Sequence, residues 1–348
     1  MLGEPAALYR RFRPQRFADL IGQELVVRAL TSAIAADRVA HSYLLSGPTG
    51  TGKTTTALIL AKALNCAGRR GVEPCGECQS CVSIAARTSF DLHEYDATFF
   101  SGESVRQVVE TAPLGNPGNR KVLIFDQAEM MGSYAASGML RLLEEPPAHV
   151  VCVLTTSDAF RVERKVYSRT QHLQFRPIPP EIMSEYLLEV ATKAELEVSD
   201  AVIAEAVRRG KGAVRNALSA LDILQASGPT LPKSTPTLVA VLATGDRSEI
   251  LTAVADAVTN GTSPEELAGT TFVELRELFF IQCGAGHLVP RTRRSDLFAM
   301  ADTMGSDEIL AAIIAIGDAI TSMTSTSDNR IILEAALAGF CLRSDSAM

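Results

Sequence analysis

The residues with the clearest chemistry form one short run. Gly47-Pro48-Thr49-Gly50-Thr51-Gly52-Lys53-Thr54 matches the spacing G-x-x-x-x-G-K-[ST] in full. Its three glycines let the backbone bend until successive N–H groups point inward at an anion, and a helix opening at the end of the run adds its positive end. Lys53 then reaches the outer phosphates of a nucleoside triphosphate, and Thr54 holds Mg²⁺. A chance glycine-rich turn has no reason to carry the Lys-Thr pair between a strand and a helix. Such a metal site needs a second acid at a strand end, and Asp126, directly after the apolar run Lys121–Phe125, supplies it. The pattern implies ATP and Mg²⁺.

A second group of residues suits a different ion. Cys66, Cys75, Cys78 and Cys81 are spaced C-x8-C-x2-C-x2-C and account for four of the seven cysteines. Four thiolates fit tetrahedral Zn²⁺ with bonds of about 2.3 Å and leave no ligand position open, so the ion would be structural. It would staple a loop too small to form a core. An iron–sulfur cluster and four free thiols are the alternatives, although a neighbouring phosphate loop supplies no redox rationale. Cys152, Cys283 and Cys341 stand in apolar surroundings and are expected to be small core residues. An odd cysteine total without a secretory signal argues against a disulfide framework.

These groups need elements to position them. Ser42–Leu45 reads as a short strand entering the glycine run, and Lys53 to about Asn65 as the helix leaving it. Lys121–Phe125 (KVLIF) and Val150–Leu154 (VVCVL) are compact β-branched runs of the kind buried in parallel sheets. Between them, Met139–Glu145 reads as a helix stopped by Pro146 and Pro147. Strands alternating with helices predict βαβ units. Prolines 177, 179 and 180 then mark a boundary, followed by three predicted helices: Ile182–Lys193, Ser199–Arg209 with Ser199 and Asp200 as N-cap residues, and Ala213–Gln225. A linker at Gly228–Pro236 leads into a block without strand signal that closes on the helical Arg330–Leu342.

With 348 residues, 47% of them hydrophobic and 21% charged, the chain can fill two or three domains. No apolar run reaches the roughly 18 residues that cross a bilayer. The charged, proline-broken N-terminus is no signal peptide, so no membrane partner and a cytoplasmic protein are expected. A net charge of −7 argues against non-specific coating of DNA over the whole surface. Two local basic groups, Arg10, Arg11, Arg13 and Arg16, then Arg161, Arg164, Lys165 and Arg169, read on charge alone as solvated faces.

Taken in order, these stretches resemble the gamma/tau subunit of bacterial DNA polymerase III, an AAA+ clamp-loader ATPase. The resemblance is carried by LYRRFRPQRFADLIGQE, HSYLLSGPTGTGKTTTA, NC…PCGECQSC, LLEEPPAHV, YSRT and GAVRNALSALD. It is dense from about Leu8 to Leu224 and weak beyond. The implied architecture is an α/β AAA+ nucleotide-binding domain with a parallel sheet (residues 1–178), carrying a zinc module (66–81). A three-helix lid (179–228) and an all-α collar or oligomerisation domain (237–348) follow.

Carried over residue by residue, the resemblance makes Arg169 an arginine finger acting on a neighbouring subunit's ATP and Arg215 the lid arginine that senses the γ-phosphate of its own. Thr156 or Ser157 would be the first polar sensor. It implies an ATPase that opens a sliding clamp and loads it onto primer–template DNA during replication. Its partners would be the other subunits of a hetero-pentamer, the clamp and DNA, with Arg161, Arg164 and Lys165 as candidates for phosphate contacts.

Three departures stand out. Gln127 replaces the glutamate that ordinarily follows Asp126 in AAA+ ATPases and activates water. Thr49 replaces a usual phosphate-loop arginine, and no tau-like extension is expected. A neutral amide can position water but cannot take its proton. The alternative is therefore a clamp-loader subunit that holds ATP and hydrolyses it poorly. A third reading, another AAA+ branch such as a recombination or chaperone motor, is disfavoured by the cysteine module.

Overall fold

The computed structural model describes residues 7–115, 118–226, 238–259, 262–289, 297–298, 300–301, 303–323 and 328–345, with side chains described up to residue 340. The expected linker at Gly228–Pro236 and the side chain of Cys341 lie outside the described residues. The chain divides into two compact units, residues 1–229 and 230–348.

In the first unit, five strands form one parallel sheet in the order β2-β3-β4-β1-β5: β1 Ser42–Ser46, β2 Leu92–Asp96, β3 Lys121–Asp126, β4 Val150–Thr156 and β5 Gln171–Gln174. The three central strands are the three apolar runs, because both faces of the sheet are covered. Leu44, Leu123, Phe125, Cys152 and Leu154 face one apolar layer, while Tyr43, Leu45, Val122, Ile124, Val151 and Val153 face the other. The second layer holds helices Glu24–Ala35 and Lys53–Asn65, and the first holds Gly102–Thr111 and Ser133–Glu144. The last of these starts six residues before the expected Met139: Gly132 turns the chain, and Ala135, Ala136 and Met139 continue one buried face. Register aligns Ser46 with Thr156 and Asp96 with Asp126. The C-terminal strand ends thus share one edge of the sheet, where α/β folds place their ligands.

Three further helices, Pro180–Lys193, Asp200–Gly210 and Val214–Ala226, bury their own apolar cluster around Met183, Leu187, Ile203, Ala217 and Leu221. Pro180 occupies the first turn of its helix, and the Ser199 hydroxyl caps the second by accepting from the Val202 N–H. Leu8, from the short helix Leu8–Arg11, is part of the same cluster. In the second unit the described elements are all helical and include Arg247–Thr259, Pro264–Gln282, Ser306–Met323 and Asn329–Asp345 around a core of Leu275, Leu278, Ile309, Ile316 and Leu333. No helix among the described residues is long and apolar enough to cross a membrane. Cys152 is fully buried in the sheet, but Cys283 is exposed, because it ends helix Pro264–Gln282 where its apolar face has already finished.

A candidate nucleotide-binding site at the sheet edge

The glycine run connects β1 to helix Lys53–Asn65. Gly47 has φ +138°, and a Cβ there would lie 2.4 Å from the Phe175 carbonyl oxygen, so both conformation and space demand glycine. Gly52, φ +107°, turns the chain into the helix and stands at its N-cap. Lys53 is buried, and its Nζ donates to the carbonyl oxygens of Gly47 at 2.6 Å and Pro48 at 2.9 Å. Burial lowers its pKa, opposed by the nearby charges of Asp126 and Glu129. The Thr51 hydroxyl donates to the Pro48 carbonyl at 2.8 Å and so braces the loop.

Between β1 and β3 lies β4, and its end closes the gap. Thr54 Oγ1 donates to Asp126 Oδ2 at 3.4 Å, and the Thr155 hydroxyl donates to Asp126 Oδ1. The expected metal pair is therefore together. Thr156 and Ser157 both line the cleft, but neither is bonded to Asp126. Thr156 Oγ1 donates to the Asp158 carbonyl at 2.9 Å, while Ser157 donates through its N–H, at 3.0 Å, and its hydroxyl to Glu129 Oε1. Thr155 is the hydroxyl on the carboxylate, and sequence reasoning missed it. Its placement follows from strand alternation, which sends neighbouring side chains to opposite sides. Gln127 adopts a left-handed backbone, φ +58°, with an exposed side chain on the cleft wall.

The cleft has a volume of about 820 Å³ and is closed by two other segments. Residues 9–10, 12–15 and 19–21 of the N-terminal arm form one wall. Arg13, counted above among solvated arginines, lines this cleft half-buried, with Nε donating to Thr55 Oγ1 at 3.1 Å. Burial, then the charge of Arg87, lowers its pKa. Arg215, from helix Val214–Ala226, also lines the cleft. Its N–H donates to the Gly50 carbonyl at 3.4 Å, and its guanidinium sits 5.7 Å from the Tyr9 ring centroid. The arm is tied to these helices by the Leu8 N–H donating to Asp222 Oδ2 at 2.9 Å and the Tyr186 hydroxyl donating to the Phe12 carbonyl at 3.2 Å. Arg169 is not a cleft residue. It pairs with Glu144, and its Nη1 donates to the Lys165 carbonyl at 2.9 Å.

The four cysteines come together away from the cleft. Their sulfurs all lie within 4.8 Å of one another, with Cys66 and Cys78 at 3.9 Å. A tetrahedral ion with bonds of about 2.3 Å sets sulfurs about 3.8 Å apart, so the set fits one Zn²⁺. Cys75 N–H donates to Cys66 Sγ at 3.2 Å and Cys78 N–H to Cys75 Sγ at 3.3 Å, as thiolate acceptors require. Burial opposes ionising Cys78, but N–H donors from Cys81 and Ala67 outweigh it and bring the thiol to about 6; burial pushes Cys81 up to about 12. Inside this loop, Glu73 turns back to the arm: Oε2 accepts the Phe17 N–H at 2.9 Å and Oε1 the Ala18 N–H at 3.0 Å.

Comparison with known proteins matches residues 22–179 to the family described as DNA polymerase III, delta subunit. The gamma/tau subunit of Mycobacterium bovis is 35% identical over 295 residues, covering 79% of this chain and 51% of the relative. Subunit tau of Bacillus subtilis is 36% identical over 220 residues, covering 62% and 39%, and subunit gamma of Buchnera aphidicola is 32% identical over 217, covering 62% and 60%. The chain thus spans about half the length of the M. bovis relative and less than two thirds of the others. Among solved structures, the Thermotoga maritima RuvB Holliday junction branch migration motor aligns at TM-score 0.47 and 17% identity, over 78% of this chain and 80% of that one. The B. subtilis clamp loader delta protein aligns at TM-score 0.38 and 14% identity, over 91% and 99%.

Proposed function

Because this chain belongs to the family of bacterial DNA polymerase III gamma/tau subunits, we propose that it is an ATP-binding AAA+ subunit of a sliding-clamp loader. The observation that carries the proposal is the meeting of Lys53, Thr54, Asp126 and Arg215 on one cleft at the sheet edge. In this reading the glycine-loop N–H groups and Lys53 hold the phosphates, and Thr54 and Asp126 hold Mg²⁺, which supplies charge neutralisation on the phosphate oxygens. Arg215 senses the γ-phosphate from the lid formed by residues 179–228. Arg169, outside its own cleft, reaches the ATP of an adjacent subunit. The cysteine set holds structural Zn²⁺, and the helical residues 237–348 form the collar. ATP binding assembles a hetero-pentamer that opens the clamp on primer–template DNA, and hydrolysis releases it.

The test is nucleotide and clamp binding by the full chain. Wild type should bind a fluorescent ATP analogue, Lys53→Ala should not, and the assembled complex should retain the sliding clamp only with ATP. Equal binding by Lys53→Ala would refute the assignment of the cleft. A second reading is favoured by Gln127, whose side chain on the cleft wall is an amide. There the subunit holds ATP as a structural element with phosphate release near background, even with clamp and DNA present.

A further inference from the structure

The cleft contains a carboxylate that the phosphate-loop pattern does not assign. After Asp126 the chain leaves β3 through Gln127 into a 3₁₀ turn, Ala128–Met130. The turn brings Glu129 to the same cleft as Asp126, and the charges of both reach Lys53. Its two oxygens are used unequally. Oε1 is anchored by the Ser157 N–H and hydroxyl, whereas Oε2 is shielded from solvent and has no hydrogen-bond partner. A buried carboxylate oxygen without a partner, close enough to the phosphate-binding Lys53 for its charge to act there, has unused capacity to accept a proton once a ligand and its water rearrange the cleft.

We propose that Glu129 replaces the glutamate missing at position 127 and is the catalytic base for ATP hydrolysis, with Ser157 positioning it. The inference rests on the reading of the cleft as an ATP site. In the step, a water oxygen bonds to the γ-phosphorus as its proton passes to Glu129 Oε2. The bond from phosphorus to the bridging oxygen breaks, its electron pair stays on ADP, and inorganic phosphate leaves. Gln127, on the cleft wall, is left to orient the water.

The experiment measures ATP affinity and single-turnover phosphate release by the full chain in its assembled loader, with Mg²⁺-ATP and primer–template DNA. Glu129→Gln should keep wild-type ATP affinity and lose hydrolysis by about 10²-fold or more, the range of a removed general base. Ser157→Ala, which deletes an anchor but keeps the carboxylate, should lose about tenfold or less, the worth of a single hydrogen bond. Glu129→Gln hydrolysing within about threefold of wild type would overturn the proposal, and so would Ser157→Ala losing as much as Glu129→Gln, the mark of a purely structural role. A wild-type rate no higher than that of Lys53→Ala also overturns it, yet leaves the ATP-site reading standing if nucleotide still binds. Failure of the wild-type chain to bind ATP would sink both.

Discussion

Glu73 offers a test of how the cysteine module reaches the nucleotide. It sits two residues before Cys75 and holds two adjacent backbone N–H groups at the start of the 3₁₀ turn Phe17–Asp19. That turn belongs to the arm whose Arg13, Gln15 and Leu20 wall the cleft. A hydrogen bond to a charged acceptor is worth about 1.5–3 kcal/mol, but the bond to Ala18 is exposed and water competes for it, so the pair is worth about 2 kcal/mol. If that were all that docked the arm, Glu73→Ala would weaken ATP binding by about 30-fold, at about 1.4 kcal/mol per factor of ten. Other anchors remain, however: the buried Phe17 ring, Leu8 on Asp222, and Lys62 on Gln15. The expected loss is therefore about 3- to 30-fold, with Glu73→Gln between wild type and Glu73→Ala because its amide keeps one acceptor.

Titration with a fluorescent ATP analogue measures the affinity, and trypsin cleavage after Arg11 and Arg16 reports whether the arm is docked. Glu73→Ala should be cleaved faster without ATP and protected again at saturating ATP. Affinity within about twofold of wild type, with unchanged cleavage, would mean that these bonds do not position the arm, since about 2 kcal/mol cannot vanish from both readouts.

Other perturbations address single features. Stripping metal from the purified chain with a chelator should release close to one Zn²⁺ per chain and speed trypsin cleavage of the arm in wild type but not in Glu73→Ala; no bound zinc would remove the metal assignment. Gly47→Ala forces a Cβ to 2.4 Å from the Phe175 carbonyl oxygen at a positive φ, so thermal unfolding should fall by about 5–10 °C, equivalent to about 2–3 kcal/mol in a unit of this size. Arg169→Ala should leave ATP binding by the isolated chain unchanged and its melting temperature nearly so, because an ion pair this exposed contributes about 1 kcal/mol at most. In the assembled loader it should reduce hydrolysis by about 10³-fold, whereas equal rates there would end its role as a finger.

What could be read without coordinates was local or doubly buried. The phosphate loop announces itself because glycine and lysine must occupy fixed positions over eight residues. β1, β3 and β4 show as apolar runs because helices cover both faces of the sheet. The edge strands did not show: Leu92–Asp96 and Gln171–Gln174 are only partly buried, so LHEYD and QHLQ carry no apolar run. Distance in sequence hid other features. Arg13 enters the cleft only because the arm packs across helix Lys53–Asn65, and Glu73 meets Phe17 and Ala18 from 56 and 55 residues away. Thr155 and Glu129 were hidden by finer geometry, since choosing among Thr155, Thr156 and Ser157 requires knowing which side of β4 faces Asp126.

The cleft is also a place where separately packed parts of the first unit meet. Gly50 touches Ala213 and Arg215, whose Cβ atoms would lie 3.1 and 3.3 Å from a Cβ at that position. The arm joins the helices behind Arg215 through Leu8 and Asp222, and joins the cysteine loop through Glu73. The sheet reaches the same cleft through Asp126 and Thr155. A bound ligand shifts such parts only as far as its contacts differ between their arrangements. Lys53 and Thr54 belong to the sheet layer and would hold phosphate in any arrangement. Arg215 differs from them, because it is carried by the helical cluster and lies over Tyr9 of the arm. If Arg215 senses the γ-phosphate as proposed, exchange of its contact with Tyr9 for a phosphate contact would carry the response to the arm. Tyr9→Ala should uncouple arm protection from nucleotide state while leaving the phosphate loop able to bind.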